Sequence, residues 1–319
     1  MADPDTDGMA DDGLTASRIE RLISSAASVV APLSLLTALM FYFGYASARA
    51  QYDYFGIDVD TIGMSTQDYV MRSPAPLLTP LLTFVLLGVA LATLHESLRR
   101  RIKGARSAAE GTDAAAPEQR RLRRWHILAR GLTVGGWATL LVGVGLLLAY
   151  SYLAPRWGYY PLVTPIVMAV GSGLVLYGRR VARLLGDGQR FRPVVLLLAL
   201  ALATNVFWAT ATFAEWSGRG TAMELADHLE RLPSVILDTT EQLHLTSPGI
   251  EERVLRTAEG APADGQTYFY RYRGLRLLIQ GSDRLFLVPG GSWSASNSTL
   301  VVPLDDSVRL QFRFRNLPP

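Results

Sequence analysis

Five apolar blocks, each close to the ~20 residues a helix needs to cross a bilayer, constrain this 319-residue chain more than any other feature. They run from about residue 22 to 45, 76 to 94, 127 to 153, 162 to 177 and 193 to 213. Hydrocarbon offers no partner to a backbone amide, so each block is expected to close its hydrogen bonds internally as a helix. Hydrophobic residues reach 49% and charged ones only 18%, which points away from an ordinary water-soluble enzyme. The expected fold is an integral membrane α-helical bundle of five transmembrane helices (region 18–213), followed at about 221–316 by a small extracytoplasmic β-rich (α+β) C-terminal domain.

The flanks of the blocks set direction. Residues 1–17 carry Asp3, Asp5, Asp7, Asp11 and Asp12 and read as a disordered acidic tail. A secretory leader would begin positive and have a core of only ~7–15 apolar residues, so the first block is expected to be an uncleaved anchor despite the Ala46-Ser47-Ala48 triplet. Basic residues gather between the second and third blocks (Arg99 to Arg130) and between the fourth and fifth (Arg179 to Arg192). The other two connections hold only Arg49, Arg72 and Arg156. Positive charge stays inside, so the chain is read as a multi-pass protein of the cell membrane. Its N-terminus would be cytoplasmic and everything after Phe213 extracytoplasmic.

Between the first two blocks, residues 41–73 are too polar for lipid. They contain Tyr42, Tyr45, Tyr52, Tyr54 and Tyr69 with Asp53, Asp58, Asp60 and Asp68. Interfacial anchoring by a tyrosine belt and a packed aromatic cap against the C-terminal domain both fit. The candidate interaction residues here are Tyr52, Tyr54, Phe55, Asp58 and Tyr69.

After Phe213 the pattern changes. Residues 221–231 read as a short amphipathic helix, and beyond it the apolar period becomes two. Val308, Leu310, Phe312 and Phe314 alternate with arginines and Gln311 as in a half-buried strand, as do residues 268–273 and 275–279, with Gly274 marking a bend. Residues 235–238, 243–246, 284–288 and 300–303 are further strand candidates. Six or so short strands suggest a small sandwich or open barrel. Arg271, Arg273 and Arg276 form a candidate basic cluster for lipid headgroups or an acidic polymer.

Chemistry-bearing motifs are few. There is no G-x-S-x-G elbow, no phosphate loop, no H-E-x-x-H and no dinucleotide fingerprint. Cysteine is absent, and His95, His126, His228 and His244 have no metal-ligand spacing. No cofactor, no metal and no enzymatic activity are expected. The basic cytoplasmic loop lacks interleaved aromatics apart from Trp125, so it suits topology and anionic lipid, not nucleic acid. Inside the spans the strongest polar feature is Asn205 with Thr204 and Thr212, read either as helix–helix hydrogen bonding or as a pore lining. Gly131/Gly135 and Ala169/Gly173 are small-residue pairs that fit internal packing or a homo-oligomer equally.

The Tyr-Phe-Gly-Ile-Asp run at 54–58, and Tyr-Arg-Tyr-x-Gly-Leu-Arg-Leu-Leu at 270–278 with Phe286-Leu287-Val288-Pro289, resemble stretches of multi-pass membrane proteins of bacteria, actinobacteria in particular. The resemblance covers those stretches alone. It implies membrane residence and supplies no catalytic or binding residue. The functional expectation is a non-enzymatic sensing or interaction module that offers its outer domain to an envelope component or partner membrane protein. The alternative is a subunit of an oligomeric channel or transporter.

Overall fold

The computed structural model describes residues 8–109, 115–186, 192–245, 247–256, 265–294 and 297–313, with only the helical backbone described for 8–29, 105–109 and 115–122. The described residues form seven helices: α1 (Gly8–Asp53), α2 (Thr66–Arg72), α3 (Pro74–Ala109), α4 (Ala115–Leu148), α5 (Tyr150–Leu153), α6 (Tyr160–Leu184) and α7 (Arg192–Asp227). Five of them, α1, α3, α4, α6 and α7, are long and apolar enough to cross a membrane. Leu78, Leu82, Val85, Leu86, Val89 and Leu94 of α3 are all exposed. Rows of bare aliphatic side chains suit lipid surroundings and would be a liability in water.

Several boundaries differ from the sequence reading. The helix α1 begins at Gly8, so residues 8–17 are helical, not disordered, and residues 1–7 lie outside the described part. No proline interrupts the chain from Gly8 to Pro32, and extending an existing helix needs no new nucleus. The third span ends at Leu148 instead of Leu153. The Tyr160 hydroxyl donates to the Leu146 carbonyl at 2.6 Å, taking an acceptor that a continuing helix would offer to residue 150. The fourth span is longer than its apolar core and includes Arg179, Arg180 and Arg183, whose aliphatic stems can lie along apolar surface. The expected short helix at 221–231 is instead the end of α7, followed by a 3₁₀ turn, Leu229–Arg231.

The chain divides into two units, Ala75–Glu224 and Met1–Pro74 with Leu225–Pro319. In the first unit α4 and α6 are an antiparallel pair in very close approach. A methyl on Gly136 would sit 2.7 Å from the Val175 amide nitrogen, and one on Gly178 would sit 2.9 Å from that of Thr133. Glycine at these positions lets the two backbones touch. The expected pairs are not the contact: Gly131, Gly135 and Gly173 face open space. Leu98 and Ile102 of α3, Ala129 of α4 and Val181 of α6 form a buried cluster at one end of this unit.

The second unit joins α1 and α2 to an antiparallel sheet. Its strands are β1 (Ser234–Thr239), β2 (Glu251–Val254), β3 (Tyr270–Gln280), β4 (Arg284–Pro289), β5 (Leu300–Pro303) and β6 (Val308–Arg313). The order is β5-β4-β3-β1-β6, with β2 also on β3. This is one open sheet, not a sandwich of two. Of the expected strands 268–273 and 275–279, residues 270–279 belong to the single strand β3, because Gly274 at φ 81° bends the ladder without ending it, while 268 and 269 lie before its start. A side chain at Gly274 would collide with the Gly249 carbonyl. Residues 243–245 lie outside the ladder, Thr246 and Phe314 lie outside the described residues, and the charged β2 has too little apolar alternation to announce itself.

Val235, Leu237, Tyr272, Leu275, Leu285, Leu287 and Val302 pack on one face of the sheet, beneath Leu243, Leu245 and Ile250. The Tyr272 hydroxyl accepts the Leu243 amide at 2.7 Å, and burial pushes that phenol's pKa up. The opposite face is covered too, since every residue of β1 after Ser234 and of β4 after Arg284 is buried.

Candidate functional site

The loop that follows α1, residues 55–63, comes to rest against the sheet on this side. The helix α1 runs to Asp53, and the chain then leaves it through Gly56 at φ 72°. A 3₁₀ turn follows at Val59–Ile62, capped by Asp58, whose carboxylate accepts the Asp60 amide at 3.1 Å. Ser65 and Asp68 then start α2 with a reciprocal capping box: the Ser65 amide donates to Asp68 at 2.8 Å and the Asp68 amide to Ser65 Oγ at 3.2 Å.

The helix α2 folds back along α1. The Tyr69 ring meets Phe41 at 5.5 Å and Tyr45 at 5.4 Å, both near edge-on, the geometry ring quadrupoles favour. Arg72 donates to the Tyr52 hydroxyl at 2.8 Å, and the Tyr45 hydroxyl donates to Asp60 at 3.2 Å. Gly44 is the hinge of this packing, because a Cβ there would overlap the Tyr69 carbonyl.

Of the two readings of this loop, the structure takes the packed cap. Phe55, Ile57, Val59 and Ile62 are all at most 4% exposed. Thr299 Oγ1 donates to the Phe55 carbonyl at 2.7 Å. Ser282 donates its hydroxyl to the Gly63 carbonyl at 3.0 Å and its amide to the Ile62 carbonyl at 3.3 Å. The Phe55 and Trp293 rings meet at 4.9 Å. Tyr52, Phe55 and Tyr69 are therefore buried inside the cap. Tyr52 and Tyr69 thus spend their aromatic surface within the unit, while Phe55 also forms part of a cleft wall. Tyr54 is half-buried and Asp58 exposed, so these two remain accessible.

At the seam lies an open cleft of about 740 Å³. Asp53, Tyr54, Phe55 and Asp58 line one side, and Phe286, Trp293, Asn297 and Thr299 are on the other. Sequence reasoning found Tyr54, Phe55 and Asp58 but missed the sheet's contribution. The signal for it was a lone tryptophan within the polar run 290–299.

The arginine cluster is not one patch. Asp238, fully buried near the end of β1, stands in register with Arg271 on β3 and Arg309 on β6. Arg271 grips its carboxylate through Nε at 2.8 Å and a terminal nitrogen at 3.0 Å. Arg309 adds contacts at 3.1 and 2.6 Å. Burial alone would raise the Asp238 pKa, but the hydrogen bonds and charges of the two arginines hold it below the ordinary carboxylate value. Arg276 donates to the Leu232 carbonyl at 3.0 Å, and exposed Arg273 stands across from Glu251. Alternation along β3 and the bulge at Gly274 send the three side chains to different partners. A carboxylate inside the apolar run Val-Ile-Leu-Asp at 235–238 was the overlooked clue to this triad.

Within α7, Asn205 and Thr212 are buried but Thr204 is exposed, so the three do not share one polar face. Asn205 donates to the Ala201 carbonyl at 2.7 Å and Thr212 to that of Trp208 at 3.2 Å. These bonds close on their own helix, not on a neighbouring one. Among the described residues no group of three or more His, Asp or Glu is placed to hold a metal ion. Compared with protein-family models, with curated proteins and with solved structures, the chain finds no match in any of the three.

Proposed function

We propose that the protein is a non-enzymatic, multi-pass membrane module that senses or docks an envelope component or partner membrane protein through its sheet unit. In this reading the N-terminus is cytoplasmic, the cap and sheet are extracytoplasmic, and the chain is kin to the bacterial membrane proteins that its loop and its 270–278 run resemble. One observation carries the proposal: the end of an apolar span, the aromatic cap and the sheet are one packed unit with an open cleft at their seam. A ligand in that cleft touches the end of a membrane helix directly. The channel or transporter alternative draws less support, because Asn205 and Thr212 satisfy their side chains on their own helix.

The test places a photocrosslinking residue at Ser298, on the cleft, and at exposed Glu251 as a control. On intact cells the Ser298 variant should form a discrete adduct that the Glu251 variant does not. Equal crosslinking from both sites, or none from Ser298, would overturn the docking reading. Because the chain has no cysteine, single cysteines at Ser65, Ala115 and Ser298 with an impermeant thiol reagent check orientation. Labelling is expected at 65 and 298 only, and labelling at 115 alone would invert the topology.

A further inference from the structure

The lining of the cleft is selective in charge. Among the described residues it carries two carboxylates, Asp53 and Asp58, and four aromatic rings, with no lysine, arginine or histidine. The guanidiniums on the same face of the neighbouring strands are engaged elsewhere. Arg284 is held by Asp283 at 2.8 and 2.9 Å, and Arg276 by the Leu232 carbonyl at 3.0 Å. We propose that this cleft binds an organic cation, an ammonium or guanidinium group on a small body. The inference rests on the docking reading above and adds the chemical class of ligand.

Three features favour a cation over other occupants of such a cleft. Aromatic faces carry negative potential and attract ammonium and guanidinium groups within ~6 Å, and Tyr54 and Trp293 supply partly accessible faces here. The two carboxylates add attraction of the same sign and repel phosphate or carboxylate ligands. A neutral sugar would use the rings but would gain nothing from a formal charge of −2. Asn297 and Ser298 at the rim leave room for hydroxyl or ester groups on the body of the ligand.

Two sources carry this chemistry. Asp53 is the last residue of α1, where the span ends, so the cation could be the ammonium of a phospholipid headgroup or that of a soluble amine. The experiment uses the full chain in two kinds of nanodisc. In the first, the lipid is phosphatidylglycerol alone, and labelled ethanolamine and agmatine are titrated by equilibrium dialysis. In the second, phosphatidylethanolamine is included, and lipid retained by the protein is counted by native mass spectrometry. Binding only in the first identifies a soluble amine, and retention only in the second identifies a headgroup.

In whichever arm binds, Asp53→Asn and Asp58→Asn should each weaken binding about fivefold, and the double variant about twentyfold, from loss of charge attraction at water-like screening. Asparagine caps a helical turn as well as aspartate does, so the fold of the cap is retained, and unchanged thermal unfolding verifies this. Trp293→Leu should cost about threefold more. Cation binding indifferent to both asparagine variants, maltose displacing the cation, or no cation bound in either arm would overturn the proposal. If the Ser298 adduct persists in those cases, docking stands and only the ligand class fails. Cation binding without any Ser298 adduct would instead sink the docking reading alone.

Discussion

Replacing Asp238 by asparagine keeps the shape of the side chain and removes the charge on which Arg271 and Arg309 converge. The carboxylate is fully buried and accepts four hydrogen bonds from two guanidiniums. Breaking a buried ion pair by removing one partner costs about 3–5 kcal/mol when the other is left dry. Here the arginine side chains are 23% and 48% exposed, so water can take over part of their solvation. Asparagine also keeps one acceptor oxygen. The expected loss is therefore about 2–3 kcal/mol, which speeds exchange of the protected amides about 30- to 150-fold. The assay is hydrogen–deuterium exchange with mass spectrometry on the full chain in nanodiscs at pH 7, read on β1 and β6 with α4 as internal reference.

The same triad fixes a pH dependence. A carboxyl whose folded pKa lies below its unfolded value of about 3.9 contributes fully above that value and loses its contribution as pH falls through the folded one. Wild-type β1 should thus lose protection below about pH 4, while Asp238→Asn should lack that component. Protection of β1 and β6 changed less than about threefold by the substitution would refute the reasoning, since that ratio corresponds to well under 1 kcal/mol.

Three further outcomes are expected. Gly136→Ala pushes a methyl against the Val175 amide and the Gly171 carbonyl and should cost about 1–3 kcal/mol in reversible unfolding, whereas Gly131→Ala and Gly173→Ala, facing open space, should be silent. Thr299→Val removes the hydroxyl that donates to the Phe55 carbonyl and should loosen the cap by about 1 kcal/mol, seen as faster exchange at residues 55–62 with the sheet unaffected. Gly44→Ala drives a methyl into the Tyr69 carbonyl and should displace α2, so that a nitroxide pair on α1 and α2 reports a longer distance.

Much of the scaffold was readable along the chain because its signals are local. The helices α3, α4, α6 and α7 follow from uninterrupted apolar runs, and β6 from the alternation of Leu310 and Phe312 with Arg309, Gln311 and Arg313. Errors came where a distant group set a boundary. Leu148 ends α4 because Tyr160 captures a carbonyl, and residues 270–279 are one strand instead of two because β1 pairs on both sides of the bend expected at Gly274. The glycine pairs were left open between internal packing and a homo-oligomer, and the structure removes only the first use for Gly131, Gly135 and Gly173. Four-residue spacing marks a small face, but only the neighbouring helix decides that Gly136 and Gly178 are in contact while Gly131 and Gly135 are bare.

The cleft divides the same way. Composition alone marked residues 41–73 as too aromatic for a plain linker, and Tyr54, Phe55 and Asp58 as its centre. That Phe55 is buried against Trp293, more than 200 residues later in the chain, was decided by tertiary packing, as was the pairing of Asp238 with Arg271 and Arg309. Hydrophobic period and charge asymmetry are sums over neighbouring residues, so the sequence by itself marked the apolar helices and the strands with clear alternation. A cleft or an ion triad depends on strand register and loop docking, which no local pattern encodes.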